Sequence, residues 1–330
     1  MSSHMSHWME ILMNTKILST IAKLDYCIIT HKEYKNAIDG IFRCLEETLF
    51  SPNKSINCLL VAEGGLGKTT ICNKILEKFT DEVISHEGYS IVIKPAFYIQ
   101  IPAKTNIDNL TKLMLQKLGD INPSNGTTFD RYIRLAQKLK ISKTKLIIFD
   151  EFHHVYSTES SHKKHTTTNE NIANWIKTLG DANKICICLV SLPQYVDLFL
   201  RDSQQSRRYK DQFYLNPLTI SNDSEKTHIK PFVYQVQEFI RNEMQISTQD
   251  LAQDKFVLML FIATAGYHDF LMSLIKRALF FQLSTSSIVL NTEHFSKAWQ
   301  TDITSSVRLS TTNPFDMSEK ELFSFYKSIH

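Results

Sequence analysis

The chain has 330 residues, of which 43% are hydrophobic and 22% are charged, so it can bury a large core and is not a disordered protein. This length favours two domains, or one domain with a substantial appendage. Its 37 basic and 34 acidic residues leave a net charge of only +3. Any affinity for nucleic acid must therefore come from local placement of charge, or from many subunits acting together.

The cysteines and the apolar segments indicate a cytoplasmic protein. No apolar run approaches the roughly 18 residues that span a bilayer, and the N-terminus lacks the basic and apolar regions of a signal peptide. We therefore expect no membrane partner. No CxxC pair of zinc or redox type occurs, so the cysteines are predicted to be reduced core residues. They are Cys27, Cys44, Cys58, Cys72, Cys186 and Cys188.

The periodicity of apolar residues predicts strands alternating with helices in the first two thirds of the chain, and mainly helices after Pro217, with the short apolar run at 287–290 as a candidate extended segment. The late residues 313–330 are expected to form an exposed arm. In chain order, the predicted elements are a largely helical stretch at 17–50, a strand at 56–60, a helix at 71–79, a strand at 97–101, helices at 107–118 and 129–139, a strand at 145–149, a helix at 172–179, a strand at 185–190, and helices at 232–244, 255–265, 270–283 and 293–301.

A glycine-rich loop between the first predicted strand and its helix is the clearest motif. Residues 61–70 read VAEGGLGKTT, and Ala62 stands where the strict P-loop pattern has a glycine. In such a loop, backbone N–H groups and the helix N-terminus surround one anion. Lys68 is predicted to contact the β- and γ-phosphates of a nucleotide, and Thr69 to bind Mg²⁺. The candidate nucleotide-binding residues are Glu63, Gly64, Gly65, Leu66, Gly67, Lys68, Thr69 and Thr70.

Two carboxylates at the end of a later strand supply the second half of this site. The strand at 145–149 (KLIIF) is followed directly by Asp150 and Glu151. A carboxylate at the tip of a buried strand beside the P-loop can hold Mg²⁺ through water, and the next one can polarise an attacking water. We assign the first role to Asp150 and the second to Glu151. The alternative is a solvated turn that happens to carry two acids.

The histidines near this motif are not predicted to bind metal. At most one of the adjacent side chains of His153 and His154 can face the nucleotide, and the other is expected to pack. Further along, His162 and His165 have an HxxH spacing, but no third or fourth ligand follows, which favours a solvated loop.

Two further positions are candidates for sensing the γ-phosphate. Ser191 ends the strand at 185–190 and could contact the phosphate, or could simply cap the strand. Arg207 and Arg208 end a predicted helix; they form either a solvated face or, in an oligomer, the arginine finger for a neighbour's nucleotide. The sequence does not say which of the two arginines would be the finger.

The order of these motifs resembles the AAA+ ATPases of transposon target selection, the TniB/TnsC group related to the bacteriophage Mu B protein. The resemblance extends over about residues 36–315 and includes more than the nucleotide motifs. The segments that carry it are PAFYIQIPAKTNIDNLTKLMLQKLG, DEFHHV, SLPQYVDLFLRDSQQSRRYKDQFYLNPL, AGYHDFLMSLIKRAL and the late Asn313-Pro314-Phe315.

This resemblance implies an α/β fold of the AAA+ P-loop NTPase type, in which helices flank a mostly parallel sheet and a C-terminal α-helical lid follows. The corresponding division is an N-terminal helical segment at 1–50, the nucleotide-binding domain at 51–218, the lid at 219–308 and a tail at 309–330. ATP and Mg²⁺ are the implied cofactors. Lys276 and Arg277, on the segment that resembles the lid helix, are implied nucleotide contacts.

The resemblance also implies contacts to the backbone of double-stranded DNA. Lys104 and Thr105 follow the second predicted strand, where family members meet DNA, and Lys163, Lys164 and Arg131 are further candidates. Phosphate contacts of this kind carry no sequence information. For each lysine the alternative is ordinary solvation.

The predicted function is therefore that of a bacterial, cytoplasmic ATPase that regulates DNA transposition. It would assemble head-to-tail into a ring or helical filament with ATP at the subunit interface. Slow hydrolysis would permit disassembly, and exposed surfaces would recruit a transposase and a TniQ-like or other targeting protein. The alternatives are an AAA+ helicase loader of replication and a nucleotide-binding scaffold that does not hydrolyse ATP.

Overall fold

The computed structural model describes residues 15–52, 54–86, 89–103, 105–155, 165–201, 203–220, 227–285 and 287–329. The chain divides into two compact units. Glu33–Leu215 forms the sheet unit, and Asn216–His330 together with the chain up to Lys32 forms the helical unit. The segment predicted at 1–50 is thus divided, since its later part belongs to the sheet unit.

The sheet unit is built on five parallel strands in the order β4-β5-β6-β1-β7. The carboxyl ends of parallel strands meet at one edge, so the residues that follow β1, β5 and β6 come together there. In chain order the strands of this unit are β1 (Cys58–Ala62), β2 (Glu82–His86), β3 (Tyr89–Ile93), β4 (Ala96–Gln100), β5 (Leu146–Asp150), β6 (Cys186–Ser191) and β7 (Asp211–Leu215).

Burial on both faces explains why the inner strands are continuous apolar runs. Every residue of β1, β5 and β6 is buried. Because successive side chains point to opposite faces, Leu59 and Val61 reach one hydrophobic core, and Cys58 faces the other side. There it meets Cys188, its partner in the strand register. All six cysteines are free, as expected for reduced core residues.

Helices cover the sheet and carry conventional start signals. Thr127 caps one helix in a capping box with Asp130. Gly40 lets another helix approach β7, because a Cβ there would overlap the ring of Phe213. In chain order the helices of the sheet unit are α1 (Lys32–Phe50), α2 (Lys68–Leu76), α3 (Ile107–Lys117), α4 (Thr128–Ile141), α5 (His165–Asn183), α6 (Val196–Leu200) and α7 (Ser203–Arg208).

The helical unit packs five further helices and a two-stranded parallel pair around its own hydrophobic core. Residues 15–21, which are helical, contribute Ile17 and Ile21 to this core. The elements are α8 (Ile229–Asn242), β8 (Ser247–Thr248), α9 (Asp254–Thr264), α10 (His268–Ser284), β9 (Val289–Leu290), α11 (Thr292–Trp299) and α12 (Glu319–Ile329).

One expectation about local structure is wrong. The C-terminal residues are not an exposed arm, because Phe315 and Leu322 are buried in the core of the helical unit and α12 is a regular helix. Before β4, the strands β2 and β3 form an antiparallel pair that is separate from the main sheet.

No helix in the described ranges is by itself long and apolar enough to cross a membrane. Only α9 and α10 taken together reach the length and composition of a span, and the chain bends by 112° between them.

Candidate nucleotide-binding site

The loop between β1 and α2 has the backbone geometry of an anion-binding site. Gly65 and Gly67 have φ angles of 75° and 91°, in the left-handed region that only glycine adopts without strain. A Cβ placed on Gly64 would have no heavy atom within 4 Å, so the space beside the loop is open. Leu66 is buried and anchors the loop, whereas Thr69 and Thr70 are exposed on the first turn of α2.

Lys68 lies inside this loop and is already oriented by the backbone. Its Nζ donates hydrogen bonds to the carbonyl oxygens of Ala62 and Glu63, at 2.9 and 3.0 Å. Burial lowers the pKa of Lys68, while the nearby charges of Asp150 and Glu151 act in the opposite direction. The ammonium group therefore stands close to both predicted catalytic carboxylates, and it can exchange two carbonyl contacts for phosphate oxygens.

Asp150 is held at the end of β5 by two hydrogen bonds. Its Oδ2 accepts from the hydroxyl of Tyr98 at 2.6 Å, and its Oδ1 accepts from the backbone N–H of Glu151 at 2.7 Å. Tyr98 lies on the neighbouring strand β4, and burial together with Asp150 raises its pKa, so the phenol stays protonated and donates. The carboxylate is buried and fixed in one orientation. Sequence reasoning missed Tyr98, because a tyrosine within a strand looks like a packing residue.

Glu151 adopts an unusual backbone conformation and contacts a histidine. Its φ of 54° lies in the left-handed region, which is strained for a residue with a side chain. The next residues, Phe152–Val155, form a 3₁₀ turn that brings the Nε2 atom of His153 to 3.1 Å from Oε2 of Glu151. Burial lowers the pKa of His153, so a neutral imidazole donates this hydrogen bond at neutral pH. Tyr195 stacks on the same imidazole with a centroid distance of 5.2 Å.

His154 makes a different contact. Its Nδ1 donates to the carbonyl oxygen of Ile101 at 2.7 Å, just beyond the end of β4. Its ring lies 4.6 Å from that of His153, measured between centroids. His153 thus faces the carboxylate of Glu151, and His154 connects the same turn to the neighbouring strand.

The strand that ends in Ser191 lies between β5 and β1, as expected for a γ-phosphate sensor. Ser191 pairs with Val61 in the strand register and is buried. Its hydroxyl donates to the carbonyl oxygen of Leu192 at 3.4 Å, which is a long hydrogen bond. The position is compatible with either of the two roles left open by the sequence.

The two arginines of α7 have different surroundings. Arg208 donates to the carboxylate of Asp181 at 2.6 Å and is partly buried. Arg207 is exposed. Only Arg207 can therefore reach another molecule without breaking an ion pair.

A comparison with protein families agrees with the geometry of this candidate site. Residues 27–217 match the family model described as the bacterial TniB protein. The chain belongs to the TniB family. No curated protein sequence matches this TniB chain.

Solved structures similar to the TniB chain are AAA+ ATPases. The ORC2 protein of Aeropyrum pernix, in ADPNP–ADP complexes, has a TM-score of 0.56 and 16% identity; the match covers 79% of this chain and 65% of that one. The ORC1 protein of the same organism, in complex with DNA, has a TM-score of 0.58 and 14% identity, with 86% and 68% covered. Cdc6p from Pyrobaculum aerophilum has a TM-score of 0.58 and 14% identity, and the match covers 92% of this chain and 73% of that one.

At this level of identity the comparison establishes the fold and not the activity. The TniB chain spans 65% of the length of the ORC2 protein. Its parallel sheet, flanking helices and C-terminal helical region confirm the predicted AAA+ architecture. The family assignment connects this AAA+ chain with transposition.

The predicted DNA contacts of the TniB chain fall mostly outside the described residues. Lys104, Lys163 and Lys164 are among the residues whose placement is not described. Thr105 is partly buried, and its hydroxyl has no hydrogen-bond partner within the described ranges. These four residues remain predictions.

Arg131 is not retained as a DNA contact. Its side chain is buried and forms an ion pair with Asp108 on α3. It also donates to the carbonyl oxygen of Ser124 at 3.0 Å and to that of Gly126. All of these bonds fix the 119–126 loop to α3 and α4, so Arg131 stabilises the fold. A basic residue on an amphipathic helix gave no sequence signal of this burial.

Lys276 and Arg277 lie on α10 of the helical unit. Lys276 forms an ion pair with Asp25, and Arg277 lines a cavity of about 290 Å³ with Leu18, Phe280 and Ile303. Their assignment to the nucleotide stays a prediction from the family resemblance.

Proposed function

We propose that this chain binds ATP, hydrolyses it slowly, and uses the ATP cycle to assemble on and leave double-stranded DNA during transposition. The observation that carries the proposal is the convergence of Lys68, Asp150 and Glu151 around one glycine loop in a TniB chain. A cation, a metal-binding carboxylate and a base are the parts that nucleoside triphosphate hydrolysis requires.

The residues present fit ATP with Mg²⁺. The left-handed Gly65 and Gly67 turn backbone N–H groups toward the open space beside Gly64, and the N-terminus of α2 favours an anion there. Lys68 would contact the β- and γ-phosphates. Thr69 and Asp150 would hold Mg²⁺, which when bound neutralises charge on the phosphates. Tyr98 restricts the orientation of Asp150.

Glu151 is the proposed general base. Its carboxylate would accept a proton from the attacking water, and Ser191 at the end of β6 would contact the γ-phosphate. In the described conformation His153 occupies one oxygen of Glu151, so this hydrogen bond must be exchanged for one to water before hydrolysis. Such an exchange supports a slow ATPase that acts as a switch.

Arg207 is the proposed arginine finger. Its exposure and the commitment of Arg208 to Asp181 favour Arg207 as the residue that contacts the γ-phosphate of a neighbouring subunit. A site completed by a neighbour is a head-to-tail interface, and repetition of that interface gives a ring or a helical filament.

DNA binding follows from the same assembly. A chain with a net charge of +3 gains affinity when many copies each contribute a few phosphate contacts along one duplex. Lys104 and Thr105 are the first candidates for these contacts, and Lys163 and Lys164 are the next. The assembled surface would then recruit a transposase and a TniQ-like or other targeting protein.

Electron microscopy of the purified chain with ATP and plain duplex DNA tests this proposal. We expect a DNA-bound oligomer for the wild type, and none for Lys68→Ala, which loses nucleotide binding. Arg207→Ala should bind ATP but fail to assemble, whereas Arg201→Ala, a matched control at another exposed arginine, should assemble normally. Absence of any ATP-dependent oligomer on DNA would refute the assembly function, and capture of a replicative helicase instead of a transposase would favour a helicase loader.

A further inference from the structure

Three metal-ligand side chains come together immediately after β5. Glu151, His153 and His154 each offer one ligand atom, and these atoms lie within 4.8 Å of one another. The left-handed backbone of Glu151 and the 3₁₀ turn Phe152–Val155 produce this arrangement, because they fold the two histidines back beside the carboxylate. A regular extension of β5 would have pointed successive side chains to opposite faces.

His153 has the properties of a metal ligand. Its Nε2 atom and Oε2 of Glu151 are 3.1 Å apart. Two ligands of a tetrahedral metal with bonds of about 2.0–2.1 Å stand about 3.3 Å apart, so the observed separation nearly matches. His153 is only 8% exposed, and its Nδ1 has no hydrogen-bond partner within the described ranges.

His154 has the second-shell contact that metal-binding histidines commonly show. Its Nδ1–H donates to the carbonyl oxygen of Ile101 at 2.7 Å. This hydrogen bond fixes the tautomer in which Nε2 carries the lone pair, and it fixes the orientation of the ring. The contact also ties the turn to the strand end at β4.

We propose that Glu151, His153 and His154 form a binding site for a divalent transition metal such as Zn²⁺. Two imidazoles and one carboxylate suit Zn²⁺, Co²⁺ or Ni²⁺, whereas Mg²⁺ prefers oxygen ligands alone. The site differs from the Mg²⁺ position proposed for Thr69 and Asp150. Three protein ligands leave a fourth position for water.

A regulatory consequence rests on the proposed ATPase function. The metal would occupy the carboxylate of Glu151 and so remove the general base, without touching Lys68 or the glycine loop. Bound Zn²⁺ should therefore stop hydrolysis and leave ATP binding intact. Bound Zn²⁺ would act like a reversible Glu151→Gln substitution, which removes the general base, and would hold the chain in its ATP-bound state.

The binding arm of the test uses the full chain without nucleotide. After treatment with a chelator and its removal, Zn²⁺ is titrated by calorimetry and Co²⁺ by visible absorption. We expect one metal ion per chain, an affinity at least tenfold lower for His153→Gln and His154→Gln, and an unchanged affinity for a His162→Gln/His165→Gln control. Circular dichroism checks that each variant is folded.

No saturable binding, or binding lost only in the His162→Gln/His165→Gln control, would overturn the proposal.

A separate experiment measures ATP hydrolysis. Micromolar Zn²⁺ in excess Mg²⁺ should suppress ATP turnover of the wild type at least tenfold, and a zinc-selective chelator should restore it. If the chain has no ATPase activity, the binding arm still decides the metal site, so failure of the proposed function and failure of this inference are distinguishable.

Discussion

Removal of one hydroxyl group, in Tyr98→Phe, tests how the carboxylate of Asp150, the proposed Mg²⁺ ligand, is positioned. In the structure this hydroxyl donates to Oδ2 of Asp150 at 2.6 Å, and among the residues that the structure describes the only other hydrogen bond to the carboxylate is from the N–H of Glu151. Phenylalanine keeps the ring within β4 and deletes only the donor. The substitution therefore leaves a buried carboxylate with one oxygen unsatisfied.

The expected magnitude follows from the charge on the acceptor. A hydrogen bond to an ionised group contributes about 1.5–3 kcal/mol, and about 1.4 kcal/mol corresponds to a factor of ten in a rate or equilibrium constant. If about half of this free energy fixes Asp150 for Mg²⁺, ATP hydrolysis at limiting Mg²⁺ should fall about three- to tenfold. Saturating Mg²⁺ should restore part of the loss, because the ion itself can reorient the carboxylate.

The assay is steady-state ATP hydrolysis over a range of Mg²⁺ concentrations, with nucleotide binding measured in parallel without Mg²⁺. Tyr98→Phe should raise the Mg²⁺ concentration for half-maximal activity and leave Mg²⁺-free nucleotide binding unchanged. Tyr132→Phe, in α4 of the same unit, is the matched control. Identical Mg²⁺ dependence in wild type and Tyr98→Phe would refute the positioning role.

Two further predictions concern the stability of the helical unit. Gly266→Ala should lower the free energy of unfolding by about 2–4 kcal/mol, because Gly266 has a φ of 77° and a Cβ there would overlap the carbonyl oxygen of Leu218. Urea unfolding measures this free energy, and an unchanged unfolding midpoint would contradict the prediction. Burial lowers the pKa of His31 to about 4, so the unfolded chain binds more protons between that pH and the ordinary value of 6.5. The free energy of unfolding should therefore fall as the pH drops from about 6.5 towards 4, and it should fall less steeply in His31→Gln. Equal dependence of the unfolding free energy on pH in the two proteins would count against this account.

Much of the candidate nucleotide site could be predicted because its residues are local in sequence. Inner strands of a parallel sheet are buried on both faces, so β1 and β5 appear as short apolar runs, and the functional residues follow directly at their carboxyl ends. The glycine loop and the pair Asp150–Glu151 are therefore visible without any coordinates.

Contacts between distant strands could not be predicted in this way. Tyr98 meets Asp150 only because β4 pairs with β5 in a register that places Gln100 beside Asp150. The approach of His153 to Glu151 depends on a left-handed backbone at a glutamate, which no propensity indicates. Arg131 was a candidate DNA contact because the pattern of α4 does not reveal the loop that it holds.

The C-terminal region was misinterpreted for a similar reason. Most residues of α12 are polar, and only the packed helical unit provides the core that buries Leu322. The short antiparallel pair β2–β3 was missed because its apolar residues Val83 and Ile84 are largely exposed, so they leave no periodic core signal.

The lifetime of the ATP-assembled complex on duplex DNA tests the central claim most directly. Complexes of wild type and Glu151→Gln are formed with ATP, free nucleotide is removed, and the dissociation of labelled DNA is followed over time. If hydrolysis by Glu151 releases the assembly, the Glu151→Gln complex should persist at least tenfold longer than the wild type. Equal lifetimes would contradict the account, since ATP turnover would then not control disassembly.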